Sequence, residues 1–189
     1  MAVARTPRHA WISAGLRALG AGGPDAVRVE ALAQALGVTK GGFYGYFSDR
    51  GALLGEMLDR WERDVTDDLI ARVEAEGGDA RDRLRLLYEI ADTGEGLATD
   101  ITTDLAIRDW ARRDTAVAER LRRVDNRRME YLRSLFRAFC DDEGEVEARC
   151  FIAFSLYLGS HFVSVDHGAF SREDVLRLTN KWLLDARTD

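Results

Sequence analysis

Apolar residues recur every three or four positions along most of this 189-residue chain. This spacing is typical of amphipathic helices, and no segment alternates apolar and polar residues as a half-buried strand does. Only two prolines are present, so few positions forbid a helix. Stretches rich in glycine and aspartate separate the periodic segments and predict where helices end. We predict an all-α protein of about nine helices, over residues 7–19, 29–36, 40–47, 50–76, 80–91, 105–113, 115–140, 145–165 and 172–186.

The composition excludes several classes of protein. Hydrophobic residues make up 46% of the chain and charged residues 32%, which is typical of a folded globular protein. The longest apolar run, residues 150–158, is far shorter than the ~18–20 residues of a membrane span. Residues 1–7 are not followed by the apolar core of a signal peptide. Two cysteines without a C-x-x-C spacing provide neither a disulfide framework nor a zinc module. We expect an intracellular protein with no membrane partner and no cofactor.

The formal net charge of −6 is unevenly distributed along the chain. Residues 1–50 carry a net charge of +3, whereas the remainder carries −9. A basic first quarter is expected in a chain that meets a polyanion with that end. A charge of +3 over fifty residues is also within ordinary variation, and charge alone favours this second interpretation.

No catalytic or metal-binding motif is present in the sequence. The three histidines, His9, His161 and His167, are scattered, and the spacings H-E-x-x-H, E-x-x-H and G-x-S-x-G are missing. The carboxylates fall mainly on the polar faces of predicted helices, beside arginines. We therefore predict that the protein is not an enzyme and that it binds no metal.

Residues 29–47 carry the pattern of a helix-turn-helix. Apolar residues mark one face of a short helix, Gly37 ends it, and a second short helix follows from Lys40. Two short helices joined by a tight turn that contains glycine, and braced by a preceding helix, form this motif. The second helix would present its side chains to the major groove of DNA. Thr39 is placed to cap that helix by accepting a hydrogen bond from the backbone near Gly42.

The residues from Leu32 to Phe47, followed by Arg50 and the pair Leu53 and Leu54, resemble the N-terminal DNA-binding domain of the TetR family of bacterial repressors. The family pattern is A-x-x-x-G-V-[ST]-x-G-x-[FL]-Y-x-H-F, then a basic residue and a leucine pair that opens a long fourth helix. The resemblance covers residues 8–58 at motif level. It implies a helix-turn-helix DNA-binding domain over residues 1–50 and a helical ligand-binding and dimerisation domain over residues 51–189.

The resemblance also implies a set of DNA contacts. Tyr44 matches the phosphate-contacting tyrosine of the family, and Arg50 matches the basic residue at the head of the fourth helix. Tyr46 replaces the usual histidine, and Arg28 replaces a threonine that commonly caps the second helix; each can contact a phosphate instead. Glycine in the recognition helix lets the backbone approach the groove closely. The implied DNA-binding residues are Arg28, Thr39, Lys40, Gly41, Gly42, Tyr44, Tyr46 and Arg50.

The last two predicted helices favour self-association. Residues 150–163 are apolar nearly all round, which indicates burial on all sides. In the resembling family these helices pair across a two-fold axis, although both apolar stripes could instead serve the core of one protomer. We favour a homodimer, because a helix-turn-helix usually needs two half-sites for useful affinity. The predicted interface residues are Ser155, Gly159, Phe162, Val175, Leu178 and Trp182.

The family carries an inducer pocket between its fourth and eighth helices. The candidate lining residues here are Trp61, Tyr88, Trp110, Arg128, Tyr131, Phe154, Tyr157 and His161. Aromatic residues at helical spacing more often pack in a core, so each is individually more typical of a core residue. As a set they describe an aromatic, apolar pocket with one cation or imidazole, suited to an anionic or hydroxylated ligand. We expect Trp61 and Trp110 to flank one cavity, and residues 92–104 to open and admit the ligand.

These expectations combine into one function and one alternative. We predict a homodimeric, ligand-responsive transcriptional regulator of the bacterial cytoplasm and nucleoid. In its simplest form it is a repressor that a small-molecule inducer releases from a double-stranded DNA operator with two half-sites. The alternative is a helical small-molecule-binding protein or enzyme whose helix-turn-helix is vestigial. A mobility-shift assay with DNA from the upstream region of its own gene separates the two.

Overall fold

The computed structural model describes residues 6–94, 97 and 99–185, and helices are the only regular elements within them. The all-α prediction is confirmed. The α-helices are α1 (Arg8–Gly22), α2 (Val29–Ala35), α3 (Lys40–Tyr44), α4 (Arg50–Arg63), α5 (Leu69–Glu76), α6 (Ala80–Thr93), α7 (Ile101–Ala111), α8 (Thr115–Phe136), α9 (Glu143–Gly159) and α10 (Arg172–Leu184). A 3-10 turn, Pro24–Ala26, follows α1, and a π-helical segment, Asp64–Asp68, lies between α4 and α5.

Several helix ends differ from the predicted ones. The helix predicted over residues 50–76 consists of α4, the π-helical segment and α5. When these three are counted as one helix, the described residues contain nine α-helices, as predicted. Residues 160–165 are not helical, because α9 ends at Gly159, where glycine lowers helix propensity and β-branched valines follow. Helix α7 begins earlier than predicted, because the side chain of Asp100 accepts a hydrogen bond from the Thr103 nitrogen and caps it.

The chain forms two compact units. The first contains the described residues of 6–69 and 97–124, and the second contains those of 70–94 and 125–185. The compact unit that holds the helix-turn-helix is therefore larger than the predicted residues 1–50, because α4, α7 and the beginning of α8 pack with it. The predicted functional division after residue 50 stays a prediction.

The core of the first unit joins the helix-turn-helix to α4 and α7. Its largest fully buried side chains are Trp11, Leu19, Val27, Phe43, Leu53, Met57, Trp61 and Ile107. Helix α7 lies close to α1 at Gly20, where an added Cβ atom would be only 2.5 Å from the Thr102 hydroxyl. The Thr103 hydroxyl donates to the carbonyl of Leu16 over 3.4 Å. The missing side chain at Gly20 thus permits the close packing of α1 on α7.

Two buried carboxylates add polar contacts to this apolar core. Asp104 accepts hydrogen bonds from the Trp61 indole nitrogen and from Arg108. Asp64, in the π-helical segment, accepts from the backbone nitrogen and hydroxyl of Thr99. Buried charges are tolerated where they are paired and hydrogen-bonded, as both of these are. They tie the segment before α7, and α7 itself, to the end of α4.

The second unit packs α6, α9 and α10 with the end of α8. Its buried core consists of Leu84, Leu132, Leu135, Phe136, Val146, Cys150, Ala153, Leu183 and Leu184. Arg149 is 8% exposed; it pairs with Glu145 and donates to the carbonyls of Leu183 and Asp185. This side chain satisfies carbonyls at the end of α10 that have no partner within the helix. In the part of the chain that is described, no helix combines the length and apolar character needed to cross a membrane.

Candidate nucleic-acid interface and ligand cavity

The turn between α2 and α3 depends on Gly37. Its φ angle of +67° lies in the left-handed region that glycine adopts without steric cost. The amide of Val38 then donates to the carbonyl of Ala33 over 3.0 Å, which closes the end of α2. The predicted side-chain cap of α3 is wrong: the Thr39 side chain makes no capping bond, and its backbone carbonyl accepts from the Gly42 nitrogen instead.

Phe43 anchors the short helix α3 in the core. Its ring is fully buried, meets Trp11 edge-on at 5.4 Å and stacks on Phe47 at 5.1 Å between ring centroids. A five-residue helix has little stability of its own, so these aromatic contacts fix its orientation. The opposite side of α3 is consequently held toward solvent.

The structure places five of the eight predicted DNA-binding residues on the exposed surface of the helix-turn-helix. They are Arg28, Thr39, Lys40, Gly41 and Tyr44, and the Tyr44 side chain is 54% exposed. Gly42 and Tyr46 are half-buried, and a Cβ atom at Gly42 would lie 3.9 Å from Trp11. Arg28 precedes α2, and its side chain makes no capping hydrogen bond. The replacement of the usual threonine by arginine predicts this loss.

Arg50 has a structural role that the sequence does not indicate. It begins α4, and its guanidinium donates to the carbonyls of Val27, over 2.6 Å, and of Pro24. Both carbonyls belong to the connection between α1 and α2. Arg50 therefore holds that connection against α4, since a guanidinium has several donors in a fixed geometry. The contact is made across more than twenty residues, so no local pattern could have revealed it.

Residues 12–57 match the family model of the bacterial regulatory proteins of the tetR family. Over these residues the chain is similar to the proteins of the TetR family. The match spans α1 to α4, including the helix-turn-helix described above, and it confirms the resemblance found in the sequence. It supports a DNA-binding transcriptional regulator. The comparison with curated proteins gave no match.

Two solved structures share the fold of this chain along nearly its whole length. A TetR/AcrR-family transcriptional regulator from Thermobifida fusca YX-ER1 has a TM-score of 0.61 at 15% identity, over 96% of this chain and 98% of that one. A protein described as a TetR-family transcriptional regulator from Rhodococcus sp. has a TM-score of 0.60 at 24% identity, over 94% of each chain. At these identities the likeness shows that the fold extends beyond the DNA-binding domain.

The second unit contains a cavity of about 590 Å³ between α6, α9 and α10. Its size lies within the ~300–1,000 Å³ typical of small-molecule sites. Three of the predicted ligand-binding residues, Tyr88, Tyr157 and His161, line it together. Leu156, Leu176 and Asn180 also line it, and the sequence missed them, because leucine at helical spacing predicts a core position.

The other five predicted ligand-binding residues lie elsewhere. Trp61 is fully buried in the core of the first unit, and Trp110 packs against the same cluster. In the second unit, the Tyr131 hydroxyl donates to Glu74 over 2.8 Å, and the Arg128 guanidinium lies 6.0 Å from the ring of Phe154. None of these five is among the residues that line the cavity.

Two polar groups of the cavity, Tyr88 and His161, are shifted toward their neutral forms, and charged side chains of both signs also line it, namely Arg85, Glu89, Asp92, Glu173, Arg177, Lys181 and Asp185. Burial raises the pKa of Tyr88, whose hydroxyl oxygen is enclosed and has no hydrogen-bond partner among the described residues. Burial, and then the charge of Arg172, lower the pKa of His161. The imidazole of His161 meets the ring of Tyr157 edge-on at 5.9 Å. No three His, Cys, Asp or Glu side chains within the described part of the chain are grouped to hold a metal ion.

Helices α9 and α10, with the segment between them, expose a large apolar surface. Phe162, Leu178 and Trp182 of the predicted interface are 69%, 45% and 65% exposed. Ser155, Gly159 and Val175 line a shallow groove beside Phe151 and Ile152. In one protomer, the prediction that residues 150–163 are buried on all sides is therefore wrong: Phe151, Ile152, Phe162 and Val163 face solvent. Helical spacing alone does not distinguish a core face from such a surface.

Proposed function

We propose that this protein is a homodimeric repressor of the TetR family that a small molecule releases from its DNA operator. The observation that carries the DNA-binding part is the helix-turn-helix within the family match, whose α3 is anchored by Phe43 and exposes Lys40 and Tyr44. A helix held in this way can enter the major groove while Arg28 and Tyr44 contact the flanking phosphates. The proposed DNA contacts are those that the sequence predicts. Arg50 differs from the others in that it mainly holds the connection between α1 and α2 against α4.

The proposed dimer rests on the apolar surface of α9 and α10. Soluble monomers rarely leave many large apolar side chains exposed side by side. Here Phe151, Ile152, Val163 and Val165 line one groove together, and Phe162, Phe170, Leu178 and Trp182 are exposed on the same helices or on the segment between them. A second copy of the chain would cover this surface and place two recognition helices on successive half-sites of an operator, in the bacterial cytoplasm.

The proposed inducer site is the cavity between α6, α9 and α10. Tyr88, His161 and the ring of Tyr157 suit an aromatic or apolar ligand that carries a hydroxyl or carbonyl group, and the charged side chains in the lining, Arg85 and Glu89 among them, suit further polar groups on that ligand. An inducer can shift the protein away from the DNA-bound state only by its differential affinity for the two states. Ligand binding and operator release should consequently be linked in both directions.

A mobility-shift assay with DNA from the upstream region of its own gene tests the DNA-binding part directly. Specific binding, competed by the same DNA but not by unrelated DNA, is expected. Its absence would favour the alternative of a vestigial helix-turn-helix. A thermal-shift screen of aromatic alcohols and ketones then finds ligands, because a bound ligand stabilises the folded state by mass action. Compounds that raise the melting temperature but leave the operator complex intact would contradict the repressor mechanism.

A further inference from the structure

The single basic side chain of the recognition helix is paired with a carboxylate. The Lys40 ammonium donates a hydrogen bond to the Glu30 carboxylate. The Lys40 and Glu30 side chains are 52% and 67% exposed, so solvent surrounds the pair. Within α3 the other residues are two glycines, Phe43 and Tyr44, and none of them carries a charge.

Glu30 lies on the surface that we propose faces DNA. It is in the first turn of α2, and its carboxylate is within hydrogen-bond distance of the first residue of α3. A lysine that reaches DNA from α3 therefore brings this carboxylate close to the phosphates. The hydrogen bond to Lys40 lowers the pKa of Glu30, and Glu30 raises the pKa of Lys40, so both groups are charged at neutral pH.

The pair has opposite consequences for two kinds of DNA complex. Non-specific binding comes essentially from lysines and arginines that displace counterions from phosphates, and a lysine neutralised by a carboxylate displaces none. An exposed ion pair is weak, so a DNA site that offers many further contacts can open it at little cost. A random DNA sequence offers few such contacts. The repulsion between its phosphates and the Glu30 carboxylate is therefore not offset.

We propose that Glu30 is a specificity-determining residue, which withholds Lys40 from non-cognate DNA and releases it at the operator. The inference rests on the proposed binding of DNA through α3. It adds to that binding a carboxylate that repels the phosphates of non-cognate DNA. Specificity is a difference between affinities, and a repulsive group that penalises the wrong partner increases it as effectively as a new attractive contact. In the operator complex Lys40 would leave Glu30 for a phosphate or a base edge.

The variant Glu30→Gln tests this, because glutamine keeps the shape of the side chain and removes its charge. The full-length protein is titrated with a random-sequence duplex and with a duplex that the parent protein selects from a randomised pool. We expect the affinity of the variant for random DNA to rise about fivefold, and its salt dependence to steepen by about 0.9 per protomer. The affinity for the selected duplex should change less than about twofold, so the specificity ratio falls.

Two controls separate this effect from a change in net charge. Asp59→Asn removes the same charge from the same compact unit, where Asp59 pairs with Arg120, and it should leave the specificity ratio unchanged. Lys40→Gln added to Glu30→Gln should remove the gain in salt dependence. Weaker binding of Glu30→Gln to both duplexes would overturn the proposal, because Glu30 would then position Lys40 for DNA. An effect equal to that of Asp59→Asn would also overturn it. A parent protein that binds neither duplex would refute the proposed function itself.

Discussion

The indole nitrogen of Trp61 donates a hydrogen bond to the Asp104 carboxylate over 3.1 Å, and both side chains are buried. Asp104 also accepts from the Nε atom of Arg108 over 2.8 Å. One carboxylate thus accepts from a donor on α4 and from a donor on α7. A contact of this kind favours one packing of α7 on α4, because it satisfies the buried indole nitrogen of Trp61.

The variant Asp104→Asn should lower the free energy of unfolding by about 2 kcal/mol, since it removes a buried charge that accepts hydrogen bonds from both Trp61 and Arg108. Urea denaturation measures the change. Asp109→Asn is the matched control on α7: its carboxylate pairs with Arg113 and is 63% exposed, so its loss should cost less than about 0.5 kcal/mol. Equal stability of the two variants would show that the buried contact does not stabilise the protein.

The variant Tyr44→Phe should weaken operator binding about tenfold or more and leave the melting temperature unchanged. The hydroxyl is on an exposed side chain, so its removal affects no contact of the core, whereas a hydrogen bond to a charged phosphate contributes about 1.5–3 kcal/mol. Fluorescence anisotropy with a labelled operator measures the affinity. The salt dependence should stay as in the parent, because no charge is removed.

The variant Arg50→Gln should lower both stability and operator affinity. Its guanidinium donates to the carbonyls of Pro24 and Val27, and their loss frees the connection that orients α2. We expect a loss of about 1–3 kcal/mol in unfolding free energy, because the carbonyl of the buried Val27 loses its donor, whereas the Pro24 carbonyl keeps the Val27 amide. Calorimetry and anisotropy together check this. A variant with parental stability and weakened DNA binding would instead make Arg50 a phosphate contact only.

The variant Gly159→Leu should disturb self-association without disturbing the protomer. A Cβ atom at Gly159 meets no atom within 4 Å, so a larger side chain fits inside one chain. Trp182→Asp should act in the same way, because the indole is 65% exposed in the protomer and would be covered in a dimer. Sedimentation velocity should show a dimeric parent and largely monomeric variants. Arg177→Ala, also on α10, is the control and should remain dimeric.

The burial of His161 should make the protein less stable in mild acid. Because its pKa in the folded state lies below the usual 6.5, the unfolded chain binds a proton first as the pH falls. The contribution of the neutral imidazole to the free energy of unfolding is fully present above pH 6.5. It is lost as the pH falls toward the lowered pKa of His161. Denaturation at about pH 7 and about pH 5.5 should thus show a steeper loss for the parent than for His161→Gln. Parallel losses would contradict this assignment.

The sequence predicted the helix-turn-helix well, because local rules determine it. The turn after α2 requires a left-handed residue, which Gly37 provides, and the apolar residues of α2 lie on one face. Both features can be read from neighbouring residues without knowledge of distant contacts. The π-helical segment was not predicted, since the burial of Asp64 depends on Thr99, far away in the chain. Trp61 was assigned to a ligand pocket because aromatic spacing does not reveal whether a ring meets a cavity or a carboxylate. Trp182 lies on an exposed face for which the sequence left both a core and an interface role open.

The two glycines at the start of α3 make the protein suitable for redesign. At Gly41 an added Cβ atom would meet only the Thr39 hydroxyl, at 3.8 Å, and at Gly42 it would meet only the Trp11 ring, at 3.9 Å. Both are ordinary van der Waals distances, and replacing a helical glycine removes a conformational cost of about 0.5–1 kcal/mol. Asparagine, glutamine or arginine can therefore be introduced at position 41 to recognise chosen base pairs. The scaffold would become more stable as its operator preference is altered, which is uncommon in the engineering of binding proteins.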